Sequence, residues 1–439
     1  MLIYEEPVRV DFVNGDATGL AIPAHGEALR EAGAAFLTAA CRAFGSLPAD
    51  NHVAGITAFE RCTAGSTGEK FFVSVAYARA EPGLPCEFFV KFSRDFNDAF
   101  RDRRRGELEA EINLAALSQL PGFPIAVPLA LFADFHRRSG TGIIINERIP
   151  FGSGGIEPVH EKCMDYRLSN PPEYYRAILT ALAKLAGAHK SGALSPQLET
   201  LFPFDAQKAA TDDPILYTEE QTVEMVQRYA RFAESYPQLL PANVRTPEFI
   251  ARFERGALNF LKHQTLVRRY LHRDPDYIAF SHFNTHIDNA WFWRDAQGRL
   301  QCGLMDWQRA RQMNLGYALW GGLSGGSLKL FNDELDGLLG FFIEALHAYG
   351  GAKLDLAELK LHIDLYAATM VLAGMFNTPA IVLQRLPEAA EAAGPEDAVF
   401  AKSEAARSFL RVFTNFLNLW ERHDFGKGLE LVLARMGAS

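Results

Sequence analysis

The residues best suited to chemistry fall in one packet, "FSHFNTHIDNAWFW", which sets His282, Asn284, His286, Asp288 and Asn289 between two apolar runs. Imidazoles, amides and a carboxylate at this density can ligate a metal, accept a proton or hydrogen-bond a bound ligand. A metallohydrolase would need a helical His-Glu-x-x-His with the glutamate as general base. Phe283 stands where that glutamate would be, and the flanks are strand-like, so zinc hydrolysis fits poorly. His282 and His286 also suit a structural role, binding loop backbone carbonyls through their ring nitrogens.

Just downstream, "NAWFW" and "LQCGLM" flank "RDAQGR", in which Asp295 and Gly298 are turn residues, so the two runs should pair as an antiparallel hairpin. That pairing brings Asn289 near the end of the second strand, where "MDW" carries Asp306. An amide carbonyl and a carboxylate are hard oxygen ligands, the kind that hold Mg²⁺ together with substrate phosphates. A carboxylate between Met305 and Trp307 at the end of an apolar strand would be costly to bury without a partner.

The elements that must position these residues change character near residue 150. The first fifty residues contain one helix, "GEALREAGAAFLTAACRAFG", with Leu29, Ala32, Phe36, Ala40 and Phe44 on one face, which reads as an appendage. Then follow two strands about "TAGSTGEK", the short strand "CEFFVKF", the helix "ELEAEINLAALSQL", and two strands around Ser-Gly-Thr-Gly. The order is strand, strand, strand, helix, strand, strand. Beyond residue 150 come helices such as "YYRAILTALAKLAGAHKSG", "PEFIARFERGALNFLKHQTLVRRYL" and "LAELKLHIDLYAATMVLAGMF", without a fixed repeat. The chemical packet lies on the hairpin that interrupts them.

Composition narrows the classes. The chain has 439 residues, 48% hydrophobic and 22% charged, enough for two or three cores. A formal net charge of −9 argues against nucleic acid and anionic membranes as partners. The basic run "RDRRRGE" reads as a solvated loop and helix start. Five scattered cysteines without C-x-x-C spacing suggest neither a disulfide framework nor a zinc knuckle, and fit a reducing cytoplasm. The N-terminus lacks the basic and apolar character of a signal peptide, and the apolar stretch near residue 370 is broken by Asn377 and Pro379, which favours buried helices over a membrane span. No Gly-Lys-Ser/Thr follows "GSTG", so a Walker phosphate loop is excluded.

The packet "HFNTHIDN", the hairpin and "LMDWQRA" resemble the catalytic loop and metal segment of the aminoglycoside phosphotransferase and choline kinase group, relatives of protein kinases. That group shows His-Gly-Asp-x-His-x-x-Asn, an apolar hairpin, then Ile-Asp-Trp. His282, His286 and Asn289 match the first part, and Asp306 with Trp307 the second. Asn284 departs from it, standing where the family carries the aspartate that accepts or orients the acceptor's hydroxyl proton. The resemblance spans roughly residues 50 to 325, with its specific part at 282 to 307.

The resemblance implies an α+β, bilobal protein kinase-like fold: an N-terminal helical extension (1–50), an antiparallel-sheet N-lobe (51–149) and a helical C-lobe (150–439). It implies ATP and Mg²⁺ as cofactors and a small-molecule acceptor, which the acidic helices beyond residue 150 would suit if it is cationic. Lys91 would hold nucleotide phosphates, and a helix carboxylate would orient it; Glu107, Glu109 and Glu111 compete, and Glu111 is preferred because it directly precedes "INLAAL". Gly65, Ser66, Thr67 and Gly68 would form the turn over the phosphates, and backbone groups near Glu147 and Ile149 would meet adenine. Asn289 and Asp306 would hold the metal. An asparagine at 284 can accept a hydrogen bond but cannot take up a proton, so Asp288 is the candidate compensator. A pseudokinase-like module that binds ligand without transferring phosphate is the alternative.

Overall fold

The computed structural model describes residues 9–63, 65, 67–98, 101 and 104–438. The chain divides into two compact units: Met1–Ile156 with Leu194–Phe202 and Gly303–Ala310, and Glu157–Ala193 with Pro203–Cys302 and Arg311–Ser439.

The first unit is built on a five-stranded antiparallel sheet. A small hairpin, β1 (Phe12–Asn14) and β2 (Ala21–Pro23), leads into helix α1 (Gly26–Ala43). The sheet strands are β3 (Val53–Arg61), β4 (Lys70–Tyr77), β5 (Glu87–Phe92), β6 (Ala130–His136) and β7 (Thr141–Glu147), in spatial order β3-β4-β5-β7-β6, with helix α2 (Gly106–Ser118) between β5 and β6. The strand and helix order expected from the sequence is therefore the one observed.

Both faces of this sheet are covered, which is why "ALFADF" and "GIIIN" read as nearly unbroken apolar runs and not as alternation. On one face Leu29, Phe36, Leu37 and Ala40 of α1 pack with Val73, Val90, Phe132, Ile143 and Ile145. On the other, Leu108, Ile112 and Ala115 of α2 pack with Ala130, Ala133 and Ile144. The helix read as an appendage thus shares the sheet's core, and its apolar stripe at Leu29, Phe36 and Ala40 is the docking face. Two later segments join this unit. Asn113 of α2 donates its side-chain amide to the Leu201 carbonyl at 3.1 Å, and Leu304 donates its backbone N–H to the Ala126 carbonyl at 3.0 Å.

The basic run also differs from its sequence reading. Arg101 is only 4% exposed. Its guanidinium donates to Thr141 Oγ1 at 3.0 Å and to the Arg94 carbonyl, and lies over the Phe96 ring. One arginine of the run is therefore a tie between the loop before α2 and the start of β7, while the helix begins at Gly106 as the charge pattern suggested.

The second unit is mainly helical. Its long helices include α3 (Pro171–Lys190) and the segments Glu219–Ser235, Pro247–Leu271, Leu335–Ala348, Leu356–Gly374 and Glu404–His423. A capping box, Thr218 with Gln221, opens the second of these. Phe253, Phe416 and Trp420 form edge-on aromatic contacts at the centre of the bundle. Among the described residues no single helix is long and apolar enough to cross a membrane; one bent pair, Leu356–Gly374 with Thr378–Arg385, passes by length and composition. Leu359, Ile363, Leu372 and Val382 of that pair are buried within the unit.

Two short strands, β8 (Ile278–Ser281) and β11 (Arg311–Asn314), pair antiparallel and brace the start of the polar packet, with Ser281 opposite Arg311. Between them lie β9 (Ala290–Arg294) and β10 (Leu300–Leu304), which form the expected hairpin. Its turn closes with the Asp295 N–H on the Arg299 carbonyl at 3.0 Å and the Gly298 N–H on the Asp295 carbonyl at 2.8 Å.

Candidate functional site

Strand alternation decides which side chains of the first unit meet. In β5, Val90 and Phe92 face α1, so Lys91 between them faces α2, paired across the ladder with Ile144 of β7 and Lys70 of β4. On α2, Leu108, Glu111, Ile112 and Ala115 follow helical spacing onto the buried face. Glu111 therefore points at Lys91, and its Oε2 accepts from the ammonium at 2.7 Å. The competing carboxylates are engaged elsewhere: Glu107 with Arg94 at 3.0 Å and Glu109 with Arg137 at 2.5 Å.

Asp306 completes the group. Its Oδ1 accepts from Lys91 Nζ at 2.6 Å. The residue adopts φ 62°, a left-handed backbone that costs a non-glycine residue free energy and persists where the surroundings fix it. Trp307, 1% exposed and donating its indole N–H to the Leu304 carbonyl at 2.8 Å, is one such anchor. The Lys91 side chain is 3% exposed, Glu111 7% and Asp306 35%, so the ammonium is buried while the aspartate retains access to solvent. Burial alone would depress the Lys91 ammonium, but the Asp306 and Glu111 carboxylates overcome it and hold the amine above its ordinary range. Burial pushes the Glu111 carboxyl up, opposed by Lys91 and reinforced by the negative charge of Asp306.

The turn between β3 and β4 lies over the same end of the sheet. Gly65 and Gly68 have φ of 74° and 64°. A Cβ on Gly68 would fall 2.2 Å from the Phe92 carbonyl oxygen, so only glycine lets the turn close on β5. The Thr67 hydroxyl donates to Gln308 Oε1 at 3.1 Å, a link from the turn to the segment carrying Asp306 that the sequence did not signal. Ser66 lies outside the described residues. At the other end of β7, Glu147 donates its N–H to the Leu129 carbonyl at 2.8 Å, and the Ile149 carbonyl accepts from Phe151 N–H at 3.0 Å. Among the described residues no backbone acceptor takes the Ile149 N–H.

The second unit carries the polar packet as a loop tied to itself. His282, fully buried, accepts the Asn284 backbone N–H through Nδ1 at 3.2 Å, a contact to a backbone N–H where the sequence suggested a backbone carbonyl. Asn289 donates its side-chain amide to the Asn284 carbonyl at 2.8 Å and its backbone N–H to the His286 carbonyl at 2.9 Å. The Asn284 side chain is half-buried and makes no hydrogen bond among the described residues. Asp288 lies within electrostatic reach of the buried Cys163 thiol and Tyr175 phenol, and its charge helps raise both, behind the burial that dominates each.

The helix Leu315–Leu323 backs this loop at very close range. A Cβ on Gly321 would lie 1.8 Å from the Phe283 carbonyl oxygen, so the glycine pair 321–322 is what admits the loop. Phe283 itself stacks on Tyr317 of the same helix with ring centroids 4.2 Å apart. The "GGLSGG" run at 321–326 was the available sequence signal for this support.

Burial, then the nearby charges of Lys162 and His282, hold His286 well below the ordinary 6.5, so the folded protein keeps it neutral. The unfolded chain binds a proton at this residue as pH falls through about 6.5, while the folded chain does not. The His286 contribution is therefore fully present above that value and lost below it, at up to about 1.4 kcal/mol per pH unit. Denaturant titrations at pH 7.5 and 5.5 should show this loss in the native protein and a shallower one in His286→Gln. Equal slopes would show that His286 is not the titrating group.

No known family model matches the chain, and no curated protein matches it. Among solved structures, a choline/ethanolamine kinase family protein from Mesorhizobium loti overlaps at 18% identity and TM-score 0.41, covering 86% of this chain and 94% of that one. A microcompartment-associated aminopropanol kinase gives 14% identity and TM-score 0.43 over 88% and 98%. A spectinomycin phosphotransferase, solved with ADP and spectinomycin, gives 11% identity and TM-score 0.38 over 87% and 93%. The chain is similar, over most of its length, to choline/ethanolamine kinases and aminoglycoside phosphotransferases.

Proposed function

We propose that the protein is an ATP- and Mg²⁺-dependent phosphotransferase acting on a hydroxyl of a small molecule. The observation that carries this reading is Lys91 held between Glu111 and Asp306 at 2.7 and 2.6 Å. A buried ammonium kept charged by two carboxylates is pre-oriented to hold phosphate oxygens, and phosphoryl transfer depends chiefly on such positioning and electrostatic stabilisation.

The donor set suits magnesium. Asp306 offers a partly exposed carboxylate, and Mg²⁺ takes one or two such protein groups with the rest of its shell from phosphates and water; Asn289, in the second unit, is the amide ligand that the sequence resemblance would add. The ion would neutralise phosphate charge. Gly65, Thr67 and Gly68 would approach the phosphates through backbone N–H groups. Glu147 and Ile149 would receive adenine, a role that the uncommitted Ile149 N–H supports.

The acceptor hydroxyl belongs at Asn284, whose side chain has no internal hydrogen bond among the described residues. Asp288, four residues on, is the carboxylate that would take the proton once the loop rearranges around the acceptor. A second reading is favoured by Asn284 itself: a module that binds nucleotide without transferring phosphate. Incubation with γ-labelled ATP and Mg²⁺ against amino alcohols and aminoglycosides separates them. Label transfer that is absent in Lys91→Met supports the transferase; nucleotide binding without transfer to any acceptor or water supports the silent module.

A further inference from the structure

A second lysine lies in the same unit, on the same face of the sheet, and has no place in the reading above. Lys70 stands directly opposite Lys91 in the β4–β5 ladder. Opposed residues of an antiparallel pair project to the same side with Cβ atoms about 4.5–5.5 Å apart, and like charges placed so are destabilising. Lys70 is nevertheless only 8% exposed. Its sequence neighbour Glu69 is not its counter-ion. Glu69 accepts the Gly26 N–H at 3.0 Å and pairs with Arg61 at 3.4 Å, on the α1 side of the strand.

The ammonium lies beneath the glycine turn. A Cβ on Gly65 would come within 2.9 Å of Lys70 Nζ, so the ammonium lies directly against the turn. Burial, then the repulsion of Lys91, lower its proton affinity, while Asp306 and Glu111 act in the opposite sense. The four groups therefore form one electrostatic cluster. Lys91 with two carboxylates carries a net charge of −1; adding Lys70 brings the sum to zero, which removes the net negative charge that would repel an incoming anion.

We propose that Lys70 is a second phosphate-binding cation, so that a nucleoside polyphosphate is held by two ammonium groups on adjacent strands. This rests on the nucleotide-site reading and deepens it. The site is selective for the number of phosphates, because each ammonium contributes a charge-assisted hydrogen bond that adenosine cannot accept. A role confined to balancing Glu111 and Asp306 would act on stability alone.

The test compares ATP and adenosine binding by calorimetry in the full chain, native and Lys70→Met. The proposal predicts that ATP binding weakens by about 10- to 100-fold, the range for one charged hydrogen bond, while adenosine binding is unchanged. Lys70→Arg should restore ATP binding to within a few-fold. If Lys70→Met does not fold, Lys70→Gln, which keeps a polar end, serves for the same ratio. An unchanged ratio of ATP to adenosine affinity in a folded variant, with or without a lower melting temperature, overturns the role of Lys70 and leaves the nucleotide site standing. A native protein that binds neither ligand overturns both.

Discussion

Asn284→Asp is expected to raise the turnover number by about 10²-fold, with the dissociation constant for ATP unchanged. The loop already holds residue 284 by its backbone, through His282 Nδ1 on one side and the Asn289 amide on the other, so the substitution changes the side chain without moving it. Its amide oxygen can orient a hydroxyl but cannot carry away the proton, and general base catalysis contributes about 10²- to 10⁴-fold. If Asp288 supplies part of that base function, Asp288→Asn lowers turnover of the native protein by about 10²-fold and has little effect once Asn284→Asp is present. Such non-additivity is the signature of two groups serving one step. Single-turnover kinetics on the four proteins measures it. Independent, multiplying effects would assign Asp288 to loop structure, where its proximity to Tyr175 and Cys163 already gives it one role.

Lys91→Met is expected to reduce kcat/KM by about 10³-fold and also to destabilise the first unit. Catalytic loss follows from removing the cation aimed at phosphate. The structural loss follows because Glu111, 7% exposed, would be left charged in the interior, and breaking a buried pair from one side costs about 3–5 kcal/mol. The two effects separate in Lys91→Met/Glu111→Gln, which removes the stranded charge. That double variant should regain most of the melting temperature and none of the turnover. Recovery of activity along with stability would mean that Lys91 is only a structural counter-ion.

Much of this was legible in the sequence because it depends on short periods. The single lysine interrupting the apolar strand "FFVKF" set Lys91 apart, but the choice of Glu111 over Glu107 and Glu109 leaned on the resemblance, and its inward helical face shows only in the structure. The hairpin followed from its turn residues. What escaped depends on partners far along the chain. Helix α1 looked like an appendage because the residues it covers, such as Phe132 and Ile145, lie about a hundred positions on. Lys70 became meaningful only once the register placed it opposite Lys91, and a one-residue slip would have turned it to the other face. Arg101 was hidden in a charge run whose local pattern says solvent, although Thr141 and the Phe96 ring receive it. The strand pair β8–β11 joins segments separated by the whole packet and hairpin, a distance over which propensity carries no information.

The proposed nucleotide site of the first unit is organised by Asp306 and Lys91 and would bind nucleotide with magnesium. Calorimetric titration of the protein with ATP, with and without Mg²⁺, beside Asp306→Ala, tests it most directly. Binding should strengthen with Mg²⁺ in the native protein and lose that dependence in the variant. Absence of ATP binding under every condition, or Mg²⁺-dependent binding that survives Asp306→Ala unchanged, would contradict it.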